Sequence, residues 1–290
     1  MSGFLGLPLG EPGSARARYG RAMQLWASGA ISVAQLEAYR VAAADDHRPP
    51  SQVLVDRSLP VPADVTPDPA ALIRALVAEA DRYLSRLPGP GVAEARAGLA
   101  RWQGGPVTPA NPAANAVLAA HLDPALQALA ADHPGLAAAI AAAAPHLRWI
   151  PYDGYPPDQI GEGFAKGHAY APLVGDSAAI PAQDYDLGLL VIAPHVLYRD
   201  HARAAPELYA PLTGPHGWRF GPDRPLSIKP AHQPVWNPPD QPHLTKVGPV
   251  PFLCLLCRAR DVQAPAHVIA ASDWPQLEAL RLDLTRKDPP

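Results

Sequence analysis

Two periodicities divide this chain. From Ser14 to Ala144 apolar residues recur at three- and four-residue intervals, the spacing of one helical face. Ser14 caps a helix to about Ser28 with Tyr19, Met23 and Trp26 on one stripe; Ser32 starts a second through Ala44 with Val33, Leu36 and Tyr39 inward. A further turn is expected at Ser51–Arg57, then a proline-punctuated connector from Leu59 to Pro67. Helices follow at Asp68–Leu87, Val92–Trp102, Pro112–Ala120, Pro124–Ala131 and Pro134–Ala144. Most open on Asp or Asn with Pro at or near the first helical position, where its missing N–H costs nothing.

At His146–Tyr152 the pattern changes from helical to alternating. Short β-like runs then separate Gly, Pro and Asp turns: 167–173, 187–193, 208–212, 216–220, 226–229, 233–236, 243–247 and 252–260. Short strands at this spacing predict a sandwich or small barrel. Ser272–Leu282 reads as a last short helix with a polar tail behind it. The expected organisation is α+β: a loose arm at 1–13, a helical domain at 14–145, a β-barrel at 146–262, and a helix and tail at 263–290.

Composition changes this picture little. Pro is high at 38 of 290 residues, which alone would suggest disorder, but the regular spacing of Leu, Ile, Val and Trp argues against it. A formal charge of −3 with scattered basic residues disfavours nucleic acid as a partner. The first residues carry neither the charged nor the apolar region of a secretion signal, and no run reaches membrane-span length, so a cytoplasmic location without membrane contact is expected. Cys254 and Cys257 are spaced C-x-x-C, but their flanks are an apolar strand and no second Cys/His pair accompanies them. They are expected to be buried thiols without chemistry.

The candidate chemistry lies between Tyr198 and His243. His201 and Glu207 flank the turn Ala204-Ala205-Pro206, so they can face each other from adjacent strands, and His243 follows a second proline-rich turn. Closure of a barrel sends alternate side chains into its lumen. Two imidazoles and a carboxylate converging there suit a divalent ion of Zn, Fe, Mn, Ni or Co with open positions, and the sequence does not choose among them.

These residues also carry a resemblance. His201-x-Arg203-x3-Glu207-x6-Gly214 is similar to the first motif of the cupin superfamily, and Pro238-x-Asp240-x2-His243 to its second. Tyr198 and Tyr209 around the first motif, the run Ala169–Gly175, and Asp186-Leu187-Gly188-Leu189 resemble more narrowly the cupin-type dimethylsulfoniopropionate (DMSP) lyases. The resemblance spans residues 164–262 and implies a double-stranded β-helix, or jelly roll, that holds a divalent metal and a small carboxylated substrate. It implies β-elimination giving dimethyl sulfide and acrylate, with Tyr198 at the position of the base and Tyr209 beside the metal. Tyr170, Trp236 and Arg203 are then candidate substrate contacts. Cupins of this kind often pair through sheet edges, so a homodimer is an expectation of the same resemblance.

The departures also carry meaning. Arg203 stands where the family has the second His of its H-x-H, His195 where the motif opens on Gly, and Asp240 and Val247 at the Gly and Asn of the second motif. Three arrangements stay open: a metal on His201, Glu207 and His243 in altered geometry; an Arg203–Glu207 pair in a metal-free lumen; or Arg203 clamping a carboxylate. Besides a lyase, the ligand set suits another cupin enzyme, an isomerase or dioxygenase, or a non-catalytic binder of small anions.

Overall fold

The computed structural model describes residues 9–10, 13–62, 68–111, 114–151 and 154–282. Most of the expected N-terminal arm and the end of the tail lie outside them. The chain divides into two compact units, Met1–Asp68 and Pro69–Pro290. The helical half expected at 14–145 is therefore split at residue 68, and its later helices belong with the strands.

The first unit holds α1 (Ser14–Ala27), α2 (Val33–Ala44) and α3 (Pro50–Asp56). Ser32 caps α2 reciprocally: its hydroxyl accepts from the Gln35 N–H while the Gln35 side chain accepts from the Ser32 N–H. The inward stripe differs from expectation. Met23, Trp26 and Val33 are exposed, while Ala22, Leu25, Ala38 and Tyr39 form the core with Val53 and Leu54. Arg18 fixes that rotation of α1, being buried on the same face and paired with Asp46.

The second unit opens with α4 (Pro69–Leu84), α5 (Val92–Trp102), α6 (Ala116–Ala130) and α7 (Pro134–Ala143). Asn115 caps α6 by accepting from the Val117 and Leu118 N–H groups. The two helices expected at 112–131 are this one helix, which runs through Pro124. Proline loses a hydrogen bond there, but burial of Ala125, Leu126 and Leu129 holds the continuation against the core.

Two short turns of helix, α8 (Pro157–Ile160) and α9 (Glu162–Lys166), lead into the strands. The described residues contain β1 (His168–Gly175), β2 (Ile180–Pro181), β3 (Asp186–Ile192), β4 (Leu197–Arg203), β5 (Glu207–Pro211) and β6 (His216–Arg219). They continue with β7 (Ser227–Lys229), β8 (Val235–Asn237), β9 (His243–Lys246), β10 (Phe252–Arg258) and β11 (Ala266–Val268), and close with α10 (Trp274–Ala279). Sheet A has the order β2-β1-β3-β10-β5-β8 and sheet B the order β11-β4-β9-β6-β7, antiparallel except for the short β1–β2 pair. Together they form a two-sheet jelly roll.

Strand alternation gives sheet A two apolar faces. Leu187, Leu189, Val191, Leu208, Ala210, Leu253 and Leu255 pack outward on α4–α7. Leu190, Ile192, Tyr209, Val235, Phe252, Cys254 and Leu256 point inward, toward Tyr198 and Trp218 of sheet B. A sheet buried on both faces reads as a continuous apolar run, as Leu187–Ile192 does. Cys254 lies on the inner face and Cys257 on the outer, both buried and free, and burial pushes the Cys257 thiol up to about 12. Their burial is as expected.

His216 makes folding sensitive to acid. Its Nδ1 accepts the Gly248 N–H at 3.1 Å, so the ring is neutral, and burial pushes its pKa down from 6.5 to about 4. A depressed histidine contributes stability that is whole above its unfolded value and lost as pH falls through the folded one. The thermal midpoint is therefore expected to drop between about pH 6.5 and about pH 4. His216→Gln should flatten that slope in pH-dependent melts; an unchanged slope would mean that other groups govern it.

Candidate metal centre

Glu207 opens β5 in sheet A, and His201 and His243 are register partners on β4 and β9 of sheet B. The carboxylate therefore faces the imidazoles across the lumen, and not from an adjacent strand as the hairpin spacing suggested. A register shift in β4 between Tyr198 and His201 lets both residues join the lumenal cluster although they are three apart. Their rings stack at 3.9 Å between centroids, and Phe164 stacks on the far side of Tyr198, also at 3.9 Å.

Backbone carbonyls orient both imidazoles. His201 Nδ1 donates to the Arg199 carbonyl at 2.8 Å and His243 Nδ1 to the Gln241 carbonyl at 3.0 Å. Each bond leaves Nε2 as the lone-pair nitrogen. His201 Nε2 is buried and meets no hydrogen-bonding group among the described residues. His243 Nε2 lies 3.4 Å from Glu207 Oε2 and 3.4 Å from the Tyr209 hydroxyl.

One ligand atom from each of the three side chains lies within 4.8 Å of the other two, and all three residues are buried. Two donors each about 2.1 Å from a shared tetrahedral ion stand roughly 3.4 Å apart, as the His243 and Glu207 atoms do. Burial drives the His201 pKa well below its ordinary value, reinforced by His243, and burial lowers that of His243 against the pull of Glu207. The neutral imidazole is the form that coordinates. Among the described residues this is the group of three or more His, Cys, Asp or Glu that can hold a metal, and its donors fit a divalent ion.

Around the triad the lumenal wall is charged. Arg203 is buried, with Nε 3.8 Å from Glu207 Oε1 and Nη1 donating to the Ala264 carbonyl at 2.8 Å. In sheet A, Asp186, Arg258, Glu207 and Asn237 form one row across β3, β10, β5 and β8. Arg258 pairs with Asp186. Burial works against its charge, but Asp186, Tyr170 and Glu207 more than offset that and hold the guanidinium well above its ordinary value. The Tyr170 hydroxyl donates to Asp186 at 2.9 Å. Its ring lies over Gly188, where a Cβ would stand 2.4 Å from the phenol, so only glycine admits it.

Of the residues read from sequence, His201, Glu207, His243, Arg203, Tyr198 and Tyr209 come together in the lumen. Tyr170 joins through Asp186 and Arg258. Trp236 does not: it faces the helical layer, with its ring against Gly91, where any Cβ would overlap it. Alternation along β8 explains this, since Val235 and Asn237 take the inward positions. Residues that sequence reading missed are Tyr155, whose hydroxyl meets that of Tyr198 at 2.8 Å, and Arg258 and Asn237. Register with Glu207, which motif spacing does not encode, is the signal that finds the last two.

Comparisons with known proteins bear on the fold and the family. The DMSP lyase (dimethylsulfoniopropionate lyase) family model matches residues 99–254, more than half of the chain. A solved structure described as DMSP lyases RdDddP and RnDddQII is similar at 20% identity and a TM-score of 0.53, covering 70% of this chain and 100% of that one. DMSP lyase DddQ from Ruegeria pomeroyi DSS-3 is similar at 19% identity and 0.50, covering 70% and 97%. Identities this low speak for the fold alone. No curated protein matches. No helix among the described residues is long and apolar enough to cross a membrane. With more than half of its length matching one family model, this chain belongs to the DMSP lyase family.

Proposed function

We propose that the protein is a divalent-metal-dependent lyase that eliminates a leaving group from a small carboxylate, with DMSP as the substrate. The observation that carries this reading is the convergence of His201 Nε2, His243 Nε2 and the Glu207 carboxylate, both nitrogens stripped of protons, beside the Tyr209 hydroxyl and the stacked Tyr198 ring. An ion held by the three would supply Lewis acidity toward the substrate carboxylate.

The remaining steps belong to the chain. Tyr198 acts as the phenolate left after its own proton has gone to solvent, an anion that a cation held by the triad would stabilise. It takes the proton next to the carboxylate; the C–H electron pair becomes the new C=C bond, and the C–S pair leaves with dimethyl sulfide. Stacking between Phe164 and His201 fixes the Tyr198 ring, and Tyr155 holds its oxygen at 2.8 Å. Burial raises the Tyr209 phenol well above its ordinary value, and Glu207 adds to this, so Tyr209 keeps its proton and acts as a donor toward the site. The burial of this cluster excludes water from the carbanionic stage.

A second reading, a small-anion-binding cupin without catalysis, is favoured by one contact, Arg203 Nε against Glu207 at 3.8 Å. Arg203→His separates the two. The substitution removes a fixed cation beside the site and supplies a ligand, so metal affinity is expected to rise by about tenfold or more, the scale set by changing one group around a metal. The metal-free protein should lose about 1–3 kcal/mol, because the Ala264 carbonyl loses its donor. Purified protein with added Mn, Fe, Zn, Co or Ni is tested beside it for dimethyl sulfide and acrylate release. Release by the native chain supports the lyase. Release by the Arg203→His protein alone would make the native chain the anion binder.

A further inference from the structure

Three polar side chains of the lumen take no part in the chemistry above. Trp218, Thr245 and Asn237 are 0%, 1% and 2% exposed. Trp218 Nε1, Thr245 Oγ1 and both polar atoms of the Asn237 carboxamide meet no hydrogen-bonding partner among the described residues. A buried polar group left unmet is costly, and native structures explain nearly all such groups by a partner.

Thr245 and Asn237 neighbour the triad along or across their strands, and Trp218 reaches it through Tyr209. Thr245 is two residues beyond His243 on β9 and so shares its face. Trp218 is its direct register partner on β6. The Trp218 ring meets that of Tyr209 edge-on at 5.4 Å, and Tyr209 meets His243 in the same way at 5.5 Å. Asn237 is the register partner of Glu207 on the neighbouring strand and shares its inward face.

Their chemistry restricts what they can hold. An indole N–H only donates, while a hydroxyl and a carboxamide can both donate, so a shared partner has to present acceptor oxygen. All three are neutral. We propose that Trp218, Thr245 and Asn237 form a neutral donor subsite for the substrate carboxylate, receiving the oxygen that faces away from His201, Glu207 and His243. This rests on the reading of the site as one for a carboxylated substrate and names the residues that would select it. Neutral donors fixed in a buried lumen strengthen as negative charge builds on that oxygen during proton abstraction. An ester or amide of the same acid lacks a second charged oxygen and should be refused.

The test uses the full chain loaded with Mn. Propionate, an unreactive carboxylate, is titrated by calorimetry into the native protein and into Thr245→Val, Thr245→Ser and Trp218→Phe, with metal content and thermal midpoint measured on each. Thr245→Val and Trp218→Phe are expected to bind propionate up to about tenfold more weakly at unchanged metal content. Thr245→Ser keeps the hydroxyl and should bind as the native chain does. Propionate affinity unchanged in Thr245→Val and Trp218→Phe would overturn the subsite, as would a native chain that does not bind propionate. Dimethyl sulfide release from DMSP is followed on the same samples. Weakened propionate binding without any release by the native chain retires the proposed substrate and keeps the subsite. Release with unaltered propionate binding in the variants does the reverse.

Discussion

Glu207→Gln should leave a folded protein that neither retains metal nor turns over substrate. The carboxylate supplies the only negative charge within the triad and contacts both Arg203 and His243. An amide of the same shape fills the space but gives the ion a weak neutral donor and leaves two guanidinium groups, Arg203 and Arg258, nearby. Losing an outer partner of a metal ligand typically costs about 10–100-fold in affinity, so losing the ligand itself should cost at least about a hundredfold. Competition with a chelator reads the affinity, and headspace detection of dimethyl sulfide reads the activity. Full metal content in the variant would mean that the ion sits elsewhere.

Asp200→Ala is the substitution expected to damage stability most. Asp200 is fully buried on the outer side of β4, where it accepts from Arg219 Nη2 at 2.5 Å and from Trp274 Nε1 at 2.8 Å. Arg219 also reaches Asp273 at 2.5 Å, so this one carboxylate ties β4, β6 and α10 together. Removing one partner of a buried pair strands the other charge and costs about 3–5 kcal/mol. The lower end applies because Asp273 still holds Arg219. Urea titration should show the loss as a lower midpoint with an unchanged slope. Metal content at low temperature should be unaffected, because Asp200 faces away from the triad. A change below about 1 kcal/mol would show that Asp273 alone compensates.

The sequence carried the change from helix to strand clearly, because the two backbone periods differ and few prolines contradict them. It carried the triad because His201, Glu207 and His243 stand at motif spacing. Other features were hidden for identifiable reasons. The strand Leu197–Arg203 contains Arg199, Asp200, His201 and Arg203, so it shows no apolar alternation although Asp200 and His201 are buried. Its polar residues are satisfied by partners far along the chain, such as Arg219 and Trp274 for Asp200. Pro124 suggested a helix boundary because its local cost is visible and the packing that offsets it is not. Trp236 looked like a site residue through proximity to the second motif, whereas strand parity turned it to the other face. Asn237, Arg258 and Tyr155 enter the lumen through pairings between distant segments, which no local spacing records.

Because Glu207 comes from one layer of the roll and both histidines from the other, an ion held by all three would cross-link the layers. Loading would then be a folding event as much as a cofactor event: at a hundred times its dissociation constant the ion adds about 2.7 kcal/mol to the folded state. Scarcity of metal would therefore lower the amount of intact protein as well as the activity of each molecule, coupling abundance to supply without any separate sensor.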